Sequence, residues 1–121
     1  MELSEEDKIV LFKLYSDECI FSTGFTYHYI FNKLLDMGLL ELRGFRKSTY
    51  ITETGKEIVL TLPIEQLILY IENYFYVSKR SAMIIILQKA MQRLTTGELC
   101  IYLVHNLDYV RNTAKEIYDN R

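Results

Sequence analysis

The chain has 121 residues, of which 50% are hydrophobic and 25% are charged, and this balance excludes a disordered tail. A single proline and five glycines exclude a collagen-like or linker-type chain. The formal net charge of −2 excludes a general basic surplus, so any affinity for nucleic acid or anionic lipid must be local.

The sequence contains no pattern typical of export or membrane insertion. Met1 is followed by acidic residues, the opposite of a signal-peptide start, and the longest apolar run, 82–87, is far shorter than the ~20 residues that a membrane span needs. Cys19 and Cys100 lie far apart in the sequence, which disfavours a disulfide framework and favours reduced thiols. We therefore expect a cytoplasmic protein that does not contact membranes.

The first helix is predicted to begin after Ser4 and to run to about Tyr15. The hydroxyl of Ser4 can accept a hydrogen bond from the first turn, and the acidic residues at 5–7 favour the positive end of the helix dipole. Residues 16–18 should end this helix, and 19–21 should be a short extended segment.

Residues 27–37 predict a second helix, with Thr26 as its N-cap. Apolar side chains recur at i, i+4 and i+7 from Ile30, which is helical spacing. Gly38 is the expected stop, because a left-handed residue commonly ends a helix.

A β-hairpin and a third helix should follow. Residues 39–43 and 49–52 predict two strands joined by a turn at 44–48. The sequence Thr-Glu-Thr-Gly from Thr52 then predicts a helix start, with the helix over 53–60.

Residues 63–121 predict a helical region. One helix should cover 63–76 and another should follow Ser78, while 95–98 fit a capping box at the start of the last helical stretch. In that stretch apolar residues alternate steps of three and four, the spacing of a coiled-coil seam. The seam consists of Cys100, Leu103, Leu107, Val110, Ala114 and Ile117.

The order of these elements, and residues 26–58 in particular, resembles the second half of a winged helix-turn-helix domain of MarR-like and PadR-like transcriptional regulators. In that family the recognition helix ends in a Leu-x-x-x-Gly-Leu-Leu pattern, here 34–40, before a hairpin wing. A Tyr-x-Leu-Thr-x-x-Gly-like element follows, here 50–55. The resemblance implies a mainly α (α+β) fold, with a winged-helix domain over 1–62 and a helical dimerisation region over 63–121.

The resemblance also implies sequence-specific binding of double-stranded DNA by a transcriptional regulator, with the recognition helix in the major groove and the wing on the backbone. With Ile30 turned inward, the outer face of the helix carries an amide suited to adenine and a lysine suited to phosphate or guanine. The wing adds cations, and 43–62 hold four Lys or Arg against two Asp or Glu. The expected DNA-binding residues are Tyr27, His28, Asn32, Lys33, Arg43, Arg46 and Lys47.

Winged-helix regulators are commonly dimerised by terminal helices, so the seam predicts a homodimer through Leu103, Leu107, Val110, Ala114 and Ile117. Two-fold symmetry would place the recognition helices about 34 Å apart and predict an inverted-repeat site. The alternative is that the seam docks back onto its own chain. For the wing cations, the alternative is a hairpin turn kept soluble by charge.

A second function is compatible with the same fold. Winged helices also serve as protein-protein interaction modules without DNA binding. The acidic net charge and the short segment 16–25, which leaves little room for a support helix, favour that alternative. Tyr27 and Phe45 would then contact a partner protein.

The sequence lacks the motifs of common enzymes, such as a Gly-rich phosphate loop, H-E-x-x-H or G-x-S-x-G, so no catalytic residue and no cofactor are expected. Two histidines and two cysteines lack the close pair that a metal site needs. The ten tyrosines and six phenylalanines are better explained as core than as a nucleobase-stacking surface.

Overall fold

The computed structural model describes residues 2–17, 19–20, 28–45, 47–73 and 79–121, with the backbone alone at 19, 20 and 28. The chain forms two compact units, Met1–Thr61 and Leu62–Arg121. The described residues are mainly helical with one small antiparallel sheet, which confirms the α+β class. The elements of the first unit are α1 (Glu5–Asp17), β1 (Cys19–Ile20), α2 (His28–Asp36), β2 (Leu40–Arg43), β3 (Ser48–Ile51) and α3 (Glu53–Leu60).

The predicted cap of α1 is confirmed and involves two residues. The Ser4 hydroxyl accepts from the Asp7 backbone N–H at 3.2 Å, and the Asp7 carboxylate accepts from the Ser4 backbone N–H at 2.9 Å. Each side chain thus satisfies an amide that the first turn leaves without a helical partner. The helix ends at Asp17, two residues later than predicted. Ser16 does not break it, because the Ser16 hydroxyl donates back to the Lys13 carbonyl.

The sheet has strand order β1–β3–β2, with both pairs antiparallel. Leu40 pairs with Ile51, and both side chains are buried, whereas Glu41 and Tyr50 pair on the opposite face. The predicted hairpin and the extended segment at Cys19 are therefore confirmed, with β3 one residue earlier than expected.

Thr52 joins the end of α2 to the start of α3. The Thr52 hydroxyl donates to the Gly38 carbonyl at 2.8 Å and accepts from the Gly55 backbone N–H at 3.1 Å. Gly38 has φ +75°, which confirms the left-handed helix end. The Thr52 backbone N–H also donates to the Leu39 carbonyl at 3.0 Å. One residue therefore fixes both ends of the hairpin.

The second unit contains four helices within its described residues: α4 (Ile64–Asn73), α5 (Arg80–Met91), α6 (Thr96–Tyr102) and α7 (Asp108–Asp119). The capping box at α6 is confirmed, with Thr95 and Glu98 bonding reciprocally. Helix α5 packs against α4 and α7, and α6 packs against α7. The Arg121 guanidinium, beyond the end of α7, donates to the backbone carbonyls of Gln92 and Leu94. These bonds hold the end of α7 against the connection between α5 and α6.

The predicted last helical stretch is divided into two helices. Helix α6 ends at Tyr102, and α7 begins only at Asp108. Between them the His105 ring nitrogen accepts from the Leu107 backbone N–H at 3.1 Å, and the Arg111 guanidinium donates to the His105 carbonyl at 2.6 Å. These bonds supply the partners that a continuous helix would otherwise provide, and they stabilise the break.

Candidate nucleic-acid interface

The turn between β2 and β3 is the most exposed part of the predicted wing. The Lys47 backbone N–H donates to the Gly44 carbonyl at 3.2 Å, which closes a tight turn. Both residues have positive φ, +78° for Gly44 and +52° for Lys47. Phe45 lies at the corner of this turn, and its side chain is 103% exposed. The turn therefore presents an aromatic ring and an exposed lysine to solvent.

Arg43 lies at the base of the turn and is engaged on the outer face of the sheet. Its guanidinium bonds to the carboxylate of Glu41 and lies over the ring of Tyr50, 4.6 Å from the centroid. The side chain remains 56% exposed. Because Glu41 balances its charge at this position, Arg43 contributes less to the local positive potential than the sequence suggests.

Lys33 contacts α1, whereas the sequence predicted that it faces outward to DNA. Its ammonium donates to the Asp7 carboxylate at 2.5 Å, and the Asp7 side chain is only 2% exposed. Burial, the largest single influence, raises the pKa of Asp7, but the hydrogen bonds from Lys33 and from Ser4 together lower it below its usual range. The pair holds α2 against α1, and the charge of Lys33 is neutralised there.

The outward face of α2 is acidic along its border with α1. The Tyr29 hydroxyl donates to the Glu6 carboxylate at 2.9 Å, and this bond raises the pKa of Tyr29. Tyr29 is 64% exposed, so its ring lies on the surface of the first unit. Asn32 and Asp36 are exposed on the same helix. Asn32, which the sequence predicts to contact a base, is therefore on the surface of α2.

Several predictions concern positions outside the described residues. These are Tyr27, the side chain of His28, Arg46 and the proposed N-cap Thr26. The segment in which a support helix would lie is described only at its beginning, in the last residues of α1 and in β1. The contributions of these residues to an interface stay predictions.

The predicted dimerisation seam is distributed over two helices and the turn between them. Val110, Ala114 and Ile117 are buried, at 0%, 0% and 6% exposure, in the helix that packs on α5 and α6. Leu103 and Leu107 lie in the turn and are half-buried. Three of the five side chains are thus part of the chain's own core and cannot form a free coiled-coil surface.

Sequence reasoning missed the role of Asp7 as partner of Lys33, because the two residues are 26 positions apart and no local pattern joins them. It also missed that Glu41 offsets Arg43. That pairing had a signal, since residues i and i+2 of a strand lie on the same face.

The described residues contain no group of three or more His, Cys, Asp or Glu side chains placed to hold a metal ion. Within the same residues, no helix is both long and apolar enough to cross a bilayer. Comparison of the chain with models of known families, with curated proteins and with solved structures finds no match.

Proposed function

We propose that this protein binds double-stranded DNA through the winged-helix unit formed by its first 61 residues, as a small transcriptional regulator. The observation that carries the proposal is the arrangement α1–β1–α2–β2–β3–α3 with strand order β1–β3–β2, in which α2 leads directly into a hairpin whose turn exposes Lys47. In winged-helix proteins the helix before the hairpin reads the major groove and the hairpin contacts the backbone.

The wing provides the main electrostatic contact in this proposal. Lys47 is exposed at the turn, whereas Lys33 is paired with Asp7 and Arg43 with Glu41. Few cations are therefore free to displace counterions from phosphates, so we expect weak binding with a shallow salt dependence. Asn32 supplies the amide that would contact adenine.

A homodimer remains part of the proposal, on a different surface from the predicted seam. The proposed dimer surface consists of exposed apolar side chains in the second unit, which include Leu69, Ile85, Ile101 and Val104. Two copies on one site would double the number of wing contacts and so steepen the salt dependence of binding.

The test is a salt titration of binding to a labelled random-sequence duplex of about two helical turns, ~20 base pairs, followed by fluorescence anisotropy. We expect Lys47→Gln to weaken binding and to reduce the slope of log affinity against log salt by about 0.9 for each copy bound, the value for one lost phosphate contact. Lys115→Gln is the matched control, because Lys115 is a similarly exposed lysine on α7, and it should leave the slope unchanged. If Lys47→Gln also leaves the slope unchanged, Lys47 does not contact the phosphates and the proposed main contact of the wing is wrong.

The acidic border between α1 and α2 favours a second candidate, a protein-interaction module. The Tyr29–Glu6 hydrogen bond and the exposed Asp36 put negative charge where DNA phosphates would approach. A cationic surface of a partner protein would suit this face better. Under this function the wild-type protein would show no affinity for duplex DNA even at low salt.

A further inference from the structure

Phe45 is a large apolar residue, yet it lies fully in solvent. Its side chain is 103% exposed, so it contributes nothing to the core of the first unit. A large apolar group fully in water gains free energy whenever a partner covers it. The residue occupies the corner of a turn closed by the Lys47-to-Gly44 hydrogen bond, so its backbone is held away from the sheet.

The turn around Phe45 is also held in an uncommon backbone conformation. Lys47 has φ +52°, a region that non-glycine residues with a Cβ rarely occupy. Gly44, with φ +78°, supplies the left-handed residue on the other side.

The charges around Phe45 select the kind of partner. Lys47 is exposed within the same turn and Arg46 precedes it in the sequence, whereas the charge of Arg43 is offset by Glu41. An aromatic ring flanked by cations fits a surface in which apolar base faces lie between rows of phosphates. The minor groove of DNA has this character, and it admits apolar side chains that enter between base steps.

We infer that Phe45 is a wedge that inserts between two base pairs from the minor groove and bends the duplex. The inference rests on the proposed DNA binding and specifies how the wing contributes to it. Intercalating side chains open base steps and kink the helix towards the major groove. Flexible pyrimidine-purine steps such as TA open most easily, so Phe45 would also confer a preference for sites with such a step beneath the wing.

The protein contains no tryptophan, so Phe45→Trp introduces a unique fluorescent reporter at the turn. We expect its emission to be quenched when a duplex containing a central TA step is added, because the indole stacks on the bases. Tyr118→Trp is the matched control, since Tyr118 is a 43% exposed aromatic residue on α7 outside the proposed dimer surface, and its emission should not change. The duplex carries a dye pair at its ends, so that energy transfer reports bending in the same titration.

Phe45→Ala and Phe45→Leu separate the wedge from simple charge attraction. Losing one stacked aromatic should weaken binding about tenfold and abolish the bend, while leucine, still an apolar wedge, should retain most of both. Because the side chain is fully exposed, neither substitution should change the circular dichroism spectrum of the protein.

The possible results distinguish failure of the inference from failure of the proposed function. If the wild-type protein does not bind the duplex at any salt concentration, both are overturned. If wild type and Phe45→Ala bind equally and bend the duplex equally, DNA binding stands and the wedge is refuted. If the Phe45→Trp emission responds to phosphatidylserine vesicles and not to DNA, the ring is a membrane contact and the inference is also refuted.

Discussion

Replacing Gly55 by alanine should destabilise the first unit, although Gly→Ala in a helix normally stabilises. A Cβ at Gly55 would lie 2.4 Å from the Leu39 carbonyl oxygen and 2.7 Å from Cγ1 of Ile51. The carbonyl is backbone, and it accepts the Thr52 N–H bond that closes the hairpin. It therefore cannot move without loss.

The size of the effect follows from three contributions. Overpacking a well-filled site costs about 1–3 kcal/mol. Weakening the Thr52-to-Leu39 hydrogen bond adds about 1 kcal/mol, and the better helix propensity of alanine returns up to about 1 kcal/mol. The free energy of unfolding of the first unit should thus fall by about 2 kcal/mol.

Gly97→Ala is the matched control for this variant. Gly97 also lies in the first turn of its helix, and a Cβ there would meet no atom within 4 Å. Alanine at 97 should be neutral or should stabilise α6 by less than about 1 kcal/mol. Comparing the two variants separates the close approach at Gly55 from the general effect of removing a glycine.

Amide hydrogen exchange is the appropriate assay, because the chain has two compact units and a single global transition cannot be assumed. Gly55→Ala should reduce the exchange protection of Val59, which is fully buried in α3, and leave that of Leu99 unchanged. Gly97→Ala should leave Val59 unchanged. Undiminished protection of Val59 in the Gly55→Ala variant would refute the reasoning from close approach.

Two further predictions concern buried polar groups in the first unit. The pKa of Asp7 is lower in the folded state than its unfolded-state value of about 3.9. The ionised carboxylate therefore stabilises the folded state fully above about pH 3.9. This contribution is lost as the pH falls through the folded-state pKa. Asp7→Asn should therefore cost about 2 kcal/mol at neutral pH and progressively less in acid. The measurement is the amide exchange protection of Leu11, which is fully buried in α1, with the intrinsic exchange rate corrected at each pH. A cost independent of pH would contradict the ion pair. Thr49→Val should raise the free energy of unfolding by about 1 kcal/mol in the same assay. The reason is that the buried Thr49 hydroxyl has no hydrogen-bond partner among the described residues. A loss of stability would show that the hydroxyl makes a hydrogen bond in the folded state.

The local features of both units could be predicted from sequence because each depends on neighbouring residues. A helix cap needs a side-chain oxygen three residues before the amide that it accepts from, and Ser4, Thr52 and Thr95 all meet that condition. Gly38 ends α2 because its positive φ costs glycine little. These signals lie within four residues, so tertiary packing had little opportunity to override them.

Features that depend on distant residues were not predictable. The 3,4-spacing from Cys100 to Ile117 is compatible with one helix, but α6 buries Leu99 and leaves Cys100 exposed, whereas α7 buries Val110, Ala114 and Ile117. The segment His105–Asp108 carried a signal for the break, since Asn106 and Asp108 bond readily to local backbone and favour helix ends. Periodicity outweighed that signal in the prediction.

The Asp7–Lys33 pair shows why a surface assigned from a helical wheel needs the neighbouring elements. Lys33 is on the flank of α2, where a wheel leaves it outside, but α1 places a carboxylate there. A nearly buried carboxylate without a partner would be costly, so the ammonium is more stable on Asp7 than in solvent. The pair stabilises the contact between α1 and α2 and removes a cation from the face that would approach DNA. Any affinity of this unit for DNA must therefore depend more on the hairpin than on α2, and substitutions in the Gly44–Lys47 turn are the most direct test of the proposed function.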